Sequence, residues 1–130
     1  MADFTAAVRN TMLDWLVGNT TPAAVATRYI TTFLGDPQGA GAENISTLTG
    51  SANRIDMTTA MAAAASGACT NDVAVTFTAS AAGAATVDYV AVYSAITGGT
   101  LLASAQVTSK AVGIGDGLSI AIGDLDFAIT

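Results

Sequence analysis

The chain has 130 residues, a length that suits one domain and leaves no room for a second independent core. Ten acidic residues, four basic residues and no histidine give a net charge of −6, which disfavours nucleic-acid binding and excludes imidazole-based catalysis. No apolar run approaches the ~20 residues that a membrane span needs, and a single cysteine excludes an internal disulfide. We therefore expect one domain, residues 1–130, with no nucleic-acid or membrane partner.

Charged residues make up only 11% of the chain, well below the ~25% that is usual for soluble domains. Small neutral side chains replace the usual surface Lys and Glu. This fits an outer surface that packs against other protein chains, or a genome of biased composition. The first five residues, Met-Ala-Asp-Phe-Thr, lack the basic region and apolar run of a secretory signal, so we expect the protein to stay in the cytosol until assembly or release.

An amphipathic helix is predicted within residues 1–18. Asp3 or Thr5 can cap its start, and Gly18 supplies its stop. The apolar face is broad and consists of Phe4, Val8, Met12, Leu13, Trp15 and Leu16. Two uses of this face stay open: packing on the protein's own sheet, or insertion of Met12 and Trp15 into a neighbouring subunit, since both residue types are enriched in interface cores.

A β domain is predicted over residues 23–130. Its first strand shows period-two alternation up to Leu34 and ends at the turn-forming residues Gly35-Asp36-Pro37. Residues 36–53 are rich in Gly, Ser, Thr and Asn, which predicts a long loop of the kind that often makes contacts. Residues 54–57 form a weak strand candidate. The alanine-rich residues 58–68 fit either a helical turn or a loop.

The second half of the chain has the clearest strand pattern. Residues 73–77 alternate, and residues 87–93 carry bulk on both faces, which predicts a central strand with Val87, Tyr89 and Tyr93 on one face. Gly98-Gly99 turns this strand into a hairpin. Two last strands, 118–122 and 125–129, are predicted to be joined at Gly123-Asp124. The pattern predicts a mainly β fold: an antiparallel β-sandwich or jelly-roll-like barrel with one leading amphipathic helix.

The sequence offers little catalytic chemistry. Cys69 has no cationic neighbour that would activate its thiol. Asp124 and Asp126, with Asp116 nearby, could hold a calcium ion, but aspartates that bond their own turns explain the same pattern. We expect no catalytic, metal or cofactor site, and hence no enzyme.

Several segments carry a resemblance to a known family. They are the leading helix at 6–16, the strand and turn YITTFLGDP at 29–37, NDVAVTF at 71–77, VAVYSAITGGTLL at 90–102, GDGLSI at 115–120 and GDLDF at 123–127. Together they resemble small tailed-phage virion proteins described as tail-fibre, capsid-decoration or cement proteins. The resemblance spans nearly the whole chain except residues 40–68. It implies a structural role in a virion and transfers no enzymatic residues.

Within that role we expect a capsid cement or decoration protein, made in the host cytoplasm, that binds between major capsid protein subunits on the capsid surface and stabilises the head. Cement proteins assemble in many copies around local symmetry axes, so a homo-oligomer, in particular a trimer, is expected. The alternatives are a tail fibre, spike or adsorption-apparatus subunit, or a carbohydrate-binding β-sandwich module that uses Trp15, Tyr29 or Tyr93 for stacking. The expected partner interface consists of Phe4, Val8, Arg9, Met12, Trp15, Arg28, Glu43 and Asn44.

Overall fold

A computed structural model of the protein describes residues 3–21, 26–44, 54–77 and 84–128. These residues form one helix near the N-terminus and ten strands, all paired antiparallel. The elements are β1 (Asp3–Phe4), α1 (Ala6–Leu16), β2 (Tyr29–Leu34), β3 (Ala42–Glu43), β4 (Ile55–Asp56), β5 (Ala68–Thr70), β6 (Val75–Phe77), β7 (Ala85–Tyr93), β8 (Leu101–Val112), β9 (Leu118–Ile120) and β10 (Asp126–Ala128). The mainly β fold predicted from the sequence is confirmed.

The large sheet is built on the hairpin of β7 and β8. Its strand order is β1-β8-β7-β2-β3, and β4 pairs with β2 beside β3. The glycines at the hairpin turn, Gly98 and Gly99, have φ angles of 60° and 71°, a region that residues with a side chain rarely adopt. As the pattern predicted, β7 is central, because β8 and β2 occupy its two edges.

A second layer covers one face of the large sheet. It consists of two short strand pairs, β5 with β10 and β6 with β9. Val75 and Phe77 from β6 pack in one apolar core with Ile30 of β2 and with residues of β7 and β8. Phe77 and Ile30 are fully buried. Two layers around one core make the fold sandwich-like, in agreement with the sequence prediction.

The side chains of β7 do not alternate strictly between the two faces of the sheet. A register shift between Val87 and Tyr89 interrupts the pairing of β7 with β8. Val87 therefore lies in the core together with Val90 and Val92, not on the face of Tyr89 and Tyr93 as predicted. A bulge of this kind moves the side chain of every later residue to the opposite face of the sheet, and it cannot be recognised from the local sequence.

The helix α1 begins where the sequence predicted. Thr5 is its N-cap, and the Thr5 hydroxyl oxygen accepts a hydrogen bond from the Val8 N–H at 3.5 Å. Asp3, the other candidate cap, lies in β1 instead, opposite Ser104 of β8. The Thr5 N–H donates to the Leu102 carbonyl at 2.9 Å, so the start of the helix is attached to the large sheet by backbone bonds.

The last two strands, β9 and β10, are connected through the turn at Gly123-Asp124, as predicted, and each pairs with another strand: β9 pairs with β6 and β10 pairs with β5. The reason is the buried side chain of Asn71, which accepts from the N–H groups of Gly123 and Leu125 and holds the turn before β10 against β5. Of the two alternatives predicted for residues 58–68, a helical turn or a loop, the structure shows turns and loop without a helix; the segment makes isolated bridges and ends in β5.

The predicted loop 36–53 is partly a strand. β3 pairs with the end of β2, with Phe33 opposite Glu43 and Leu34 opposite Ala42. The turn that leads to β3 is closed by hydrogen bonds from the Gly39 and Gly41 N–H groups to the Asp36 carbonyl. A two-residue strand is too short to show a period, which is why composition alone suggested a loop. Residues 45–53 of the prediction lie outside the described residues.

Candidate interaction surface

An apolar groove lies between α1 and the large sheet. Its volume is about 350 Å³, and its lining includes Phe4, Val8, Met57, Met61, Leu102 and Phe127. Arg28 and Cys69 border the same groove. Methionine side chains adapt to differently shaped partners, so a groove with two of them suits an inserted apolar group.

The helix beside this groove leaves most of its apolar surface in solvent. No residue of α1 is buried. The exposed fractions are 58% for Leu13, 56% for Trp15, 72% for Leu16 and 68% for Val17, the residue that follows the helix. Large apolar side chains exposed next to one another are typical of interaction sites. The structure thus leaves an apolar ridge, Leu13 to Val17, next to an apolar groove.

Six of the eight predicted interface residues lie on α1 or in the groove. Phe4, Val8 and Arg28 line the groove. Met12 is half-buried and Trp15 is more than half exposed, both on α1. A sixth, Arg9, is also on α1, and one of its guanidinium nitrogens (Nη1) donates to the Phe4 carbonyl at 2.6 Å. Their role in binding a partner stays a prediction.

The other two predicted interface residues, Glu43 and Asn44, belong to a different cluster. The Arg54 guanidinium donates to both carboxylate oxygens of Glu43, at 2.7 and 3.0 Å. The Asn44 side-chain amide donates to the Thr86 carbonyl at 2.9 Å. These contacts join β3 to the sheet and the residue before β4, so they stabilise the fold. Their place in a partner interface remains a prediction too.

Arg54 is the residue that the sequence analysis missed. It is 7% exposed, and besides binding Glu43 it donates to the Ala95 and Gly98 carbonyls of the β7–β8 turn. The sequence contained one indication of its importance. The chain has only four basic residues, and Arg54 follows a long segment that contains few charged residues. A charged side chain that is this buried requires a partner of opposite charge and full hydrogen bonding.

The Arg54 cluster also contains two stacked aromatic rings. The rings of Phe33 and Tyr93 are 6.3 Å apart and nearly parallel, with an angle of 8° between their planes. Burial raises the pKa of Tyr93 above its usual value, the negative charge of Glu43 adds to the increase, and Arg54 counteracts it. Because Arg54 covers the Tyr93 ring, that ring is a poor stacking platform for a sugar.

A second, polar pocket lies over the large sheet on the side of Ser104. Its volume is about 370 Å³. It is lined by Asp3, Asp36, Gln38, Tyr89, Ser104 and Gln106. The Gln38 side-chain amide donates to the Ser104 hydroxyl at 3.1 Å, which fixes one wall. The pocket therefore combines carboxylates, amides and hydroxyls without a basic group in its lining.

Two further observations concern metals and membranes. Within the ranges that the structure describes, no group of three or more His, Cys, Asp or Glu side chains is arranged to hold a metal ion. The helix found in those ranges, α1, is too short and too polar to cross a membrane.

The mainly β, sandwich-like fold and the comparison with known families together define the class of protein: a small virion structural protein of tailed phages, tail-fibre-like. Comparison with known families makes this specific. Residues 3–128 match the family described as "Podophage GP4 fiber I protein gp80", and the chain belongs to that family. No curated protein sequence matches the chain.

Proposed function

We propose that the protein is a non-enzymatic subunit of a podophage tail fibre. The family match, which extends over residues 3–128 and names a fibre protein, is the observation that carries this proposal. The match covers the helix, both layers and every described strand, so it concerns the whole fold and not a single module. The partners would then be other tail or fibre proteins.

A tail fibre accounts for these observations better than the capsid cement role that we expected first. The low charge and the small side chains, which suggested cement, suit any surface that packs against neighbours in a virion, whether in the head or in the tail. The family description adds the word fibre. We therefore prefer the tail over the capsid and, as partners, tail proteins over the major capsid protein.

The apolar ridge of α1 and the adjacent groove are the surface that we assign to assembly. Leu13, Trp15 and Leu16 are each more than half exposed in the isolated chain. The gain from removing such side chains from water is about 25 cal/mol per Å² of apolar surface, and it is realised only when a partner covers them. In a fibre, that partner is a neighbouring subunit.

Copy number tests the proposal. Quantitative mass spectrometry of purified virions would compare this protein with the major capsid protein and with a tail protein of known symmetry. We expect a small copy number that is a multiple of the tail symmetry. A copy number that follows the capsid lattice would contradict the fibre role and support the cement role.

Binding of saccharides is a second candidate function, because the polar pocket favours it. Carboxylates accept hydrogen bonds from sugar hydroxyls, and amides both donate and accept. The pocket's volume of about 370 Å³ falls in the range of small-molecule sites. Saturation-transfer NMR with a panel of neutral monosaccharides would test it: binding that Gln106→Ala abolishes and Thr108→Ala preserves would support this function. The absence of binding would reject it.

A further inference from the structure

The outer face of α1 is uneven along its length. At 100° per residue, Ala6, Asn10, Leu13 and Val17 follow one another along a single line that points away from Val8 and Met12. All four are exposed. The N-terminal half of this line is small or polar and the C-terminal half is large and apolar. A surface of this kind is complementary to itself when a second copy runs in the opposite direction.

We propose that the outer face of α1 binds the same face of a second copy of this chain, with the two helices antiparallel about a two-fold axis. The proposal rests on the proposed function, in that it names the neighbour that covers Leu13 and Val17 of the ridge; Trp15 lies about 160° from Leu13 around the helix axis, outside this contact. In this arrangement Val17 faces Ala6 of the partner subunit, and Leu13 faces Asn10 of the partner subunit. Each large side chain meets a small or short one.

The fit of sizes argues for an antiparallel second copy. Helices approach to 8–10 Å between axes when the side chains at the contact allow it. A parallel pair would place Leu13 against Leu13 and Ala6 against Ala6, and would therefore crowd one end and leave a gap at the other. The antiparallel pair distributes the volume evenly along the contact. It also forms an isologous interface, the commonest kind in homo-oligomers.

The charges on α1 are compatible with this pairing. Arg9 and Asp14 lie on opposite flanks of the line, and a two-fold axis brings each flank next to the same flank of the partner. Arg9 then lies beside the end of the partner's helix that carries Leu16, and Asp14 lies beside the end that carries Ala7. The two Arg9 side chains share one flank and the two Asp14 side chains share the other, but each pair is offset by five residues, about 7.5 Å along the helix axis, so like charges do not meet directly and salt screens their repulsion.

The size of the contact predicts its strength. The eleven residues of α1 span about 16 Å, so two such helices bury less area than the ~1,200 Å² of a stable interface. We expect a weak dimer in solution. In a virion, where neighbouring subunits are held close together, the same contact becomes effectively intramolecular and is favoured by the high local concentration.

Sedimentation velocity of the purified chain over a wide concentration range is the first test. The wild-type chain should show reversible dimer formation. Asn10→Leu should strengthen association by about tenfold or more, because the new side chain meets Leu13 of the partner subunit. Thr11→Leu, on the other side of the same helix, is the matched control and should leave association unchanged. Leu13→Glu should abolish it, whereas Ile114→Glu, at an equally exposed position far from the helix, should not.

Disulfide trapping tests the register. In a background without the native thiol (Cys69→Ala), a mixture of Asn10→Cys and Leu13→Cys chains should cross-link 10 to 13 faster than 10 to 10 or 13 to 13. Circular dichroism of each variant verifies that α1 is intact. A monomer at every concentration, equal effects of Asn10→Leu and Thr11→Leu, or faster trapping of like positions would each overturn the proposal.

These results are independent of where the protein lies in the virion. If the chain dimerises through α1 but is found in the capsid, the fibre role fails and the inference stands. If it is a tail protein whose α1 does not self-associate, the inference fails and the fibre role stands.

Discussion

The guanidinium carbon of Arg54 lies 3.5 Å from the centre of the Tyr93 ring, the distance of a direct cation–π contact. The same guanidinium binds the Glu43 carboxylate through two hydrogen bonds. One arginine thus connects β3, the end of β7 and the turn that follows β7. The side chains of Arg54 and Glu43 are 6% and 20% exposed, so the pair is well shielded from water.

Replacing Arg54 should destabilise the fold strongly. Arg54→Ala leaves the Glu43 carboxylate and two turn carbonyls without a donor, and breaking a buried pair in this way commonly costs about 3–5 kcal/mol. Urea unfolding followed by tryptophan fluorescence would measure the loss. Arg54→Lys keeps the charge but cannot form the two-pronged contact, so it should be intermediate. A loss below about 1 kcal/mol for Arg54→Ala would show that the cluster is not a structural element.

Tyr93 should titrate above the usual tyrosine range. Its raised pKa means that the folded state favours the neutral phenol. The free energy of unfolding is therefore unaffected below the pKa that Tyr93 has in the unfolded chain, about 10. It decreases as the pH rises through the higher pKa that Tyr93 has in the folded protein. A pH titration followed by the absorbance of tyrosinate measures the Tyr93 pKa. The transition of Tyr93 is identified as the one that is present in the wild-type protein and absent in Tyr93→Phe. Glu43→Gln should lower the Tyr93 pKa, since it removes one cause of the increase; an unchanged or higher value would contradict the assignment.

Asn71 should be the most sensitive polar residue of the second layer. It is 1% exposed, its side-chain oxygen accepts from Gly123 and Leu125, and its amide donates to the Val73 and Ala121 carbonyls. Asn71→Ala removes all four bonds; the Gly123 N–H keeps the backbone carbonyl of residue 71 and the Ala121 carbonyl keeps the Asp124 N–H, whereas the Leu125 N–H and the Val73 carbonyl lose their side-chain partner. Because each unsatisfied buried group costs about 1–3 kcal/mol, we expect a loss of at least about 2 kcal/mol in thermal or urea unfolding. Asp72→Ala, at the exposed neighbouring position, serves as the control and should change stability little.

Gly41 should not tolerate a side chain. A Cβ there would lie 2.5 Å from the Gly35 carbonyl oxygen and 2.6 Å from the Asp36 carbonyl oxygen, and the backbone would have to shift. Gly115 is the matched control: it has a φ of 83° but nothing within 4 Å of the added atom. Gly115→Ala should cost only about 1 kcal/mol, the penalty of the left-handed conformation, and Gly41→Ala clearly more. Equal losses in thermal unfolding would show that β3 can shift freely.

Trp15 should matter for assembly and little for folding. Its side chain is 56% exposed, so Trp15→Ala removes few contacts within the chain. In an interface core, truncation of a tryptophan commonly costs about 2 kcal/mol or more of binding. We expect near wild-type unfolding of the isolated variant and reduced incorporation into particles, measured by comparing variant and wild-type copy numbers. Strong destabilisation without loss of incorporation would make Trp15 an ordinary packing residue.

The sequence predicted the elements that depend on local chemistry. The helix follows from its apolar spacing and the Thr5 cap, and the hairpin follows from alternation around Gly98-Gly99. The pairing of the short strands could not be read from sequence, because it is decided by Asn71, three of whose four side-chain bonds join segments about 50 residues apart. Arg54 was hidden for the same reason. Its partners are brought together only by the folded chain.

The candidate surface was predicted in part. The stripe that contains Val8, Met12 and Trp15 identified the helix face correctly as amphipathic, but the spacing could not say how much of it the sheet would cover. The structure answers this: the sheet covers only the side of Val8 and Met12, and the ridge from Leu13 to Val17 stays exposed. Glu43 and Asn44 were grouped with the helix because a polar loop often makes contacts, yet both bind within the fold.

A cryo-electron microscopy reconstruction of the whole virion is the decisive test of whether this protein is part of a tail fibre. We expect density for the β-sandwich on the tail, with α1 covered by a neighbouring subunit. Density on the capsid surface, between major capsid protein subunits, would contradict it.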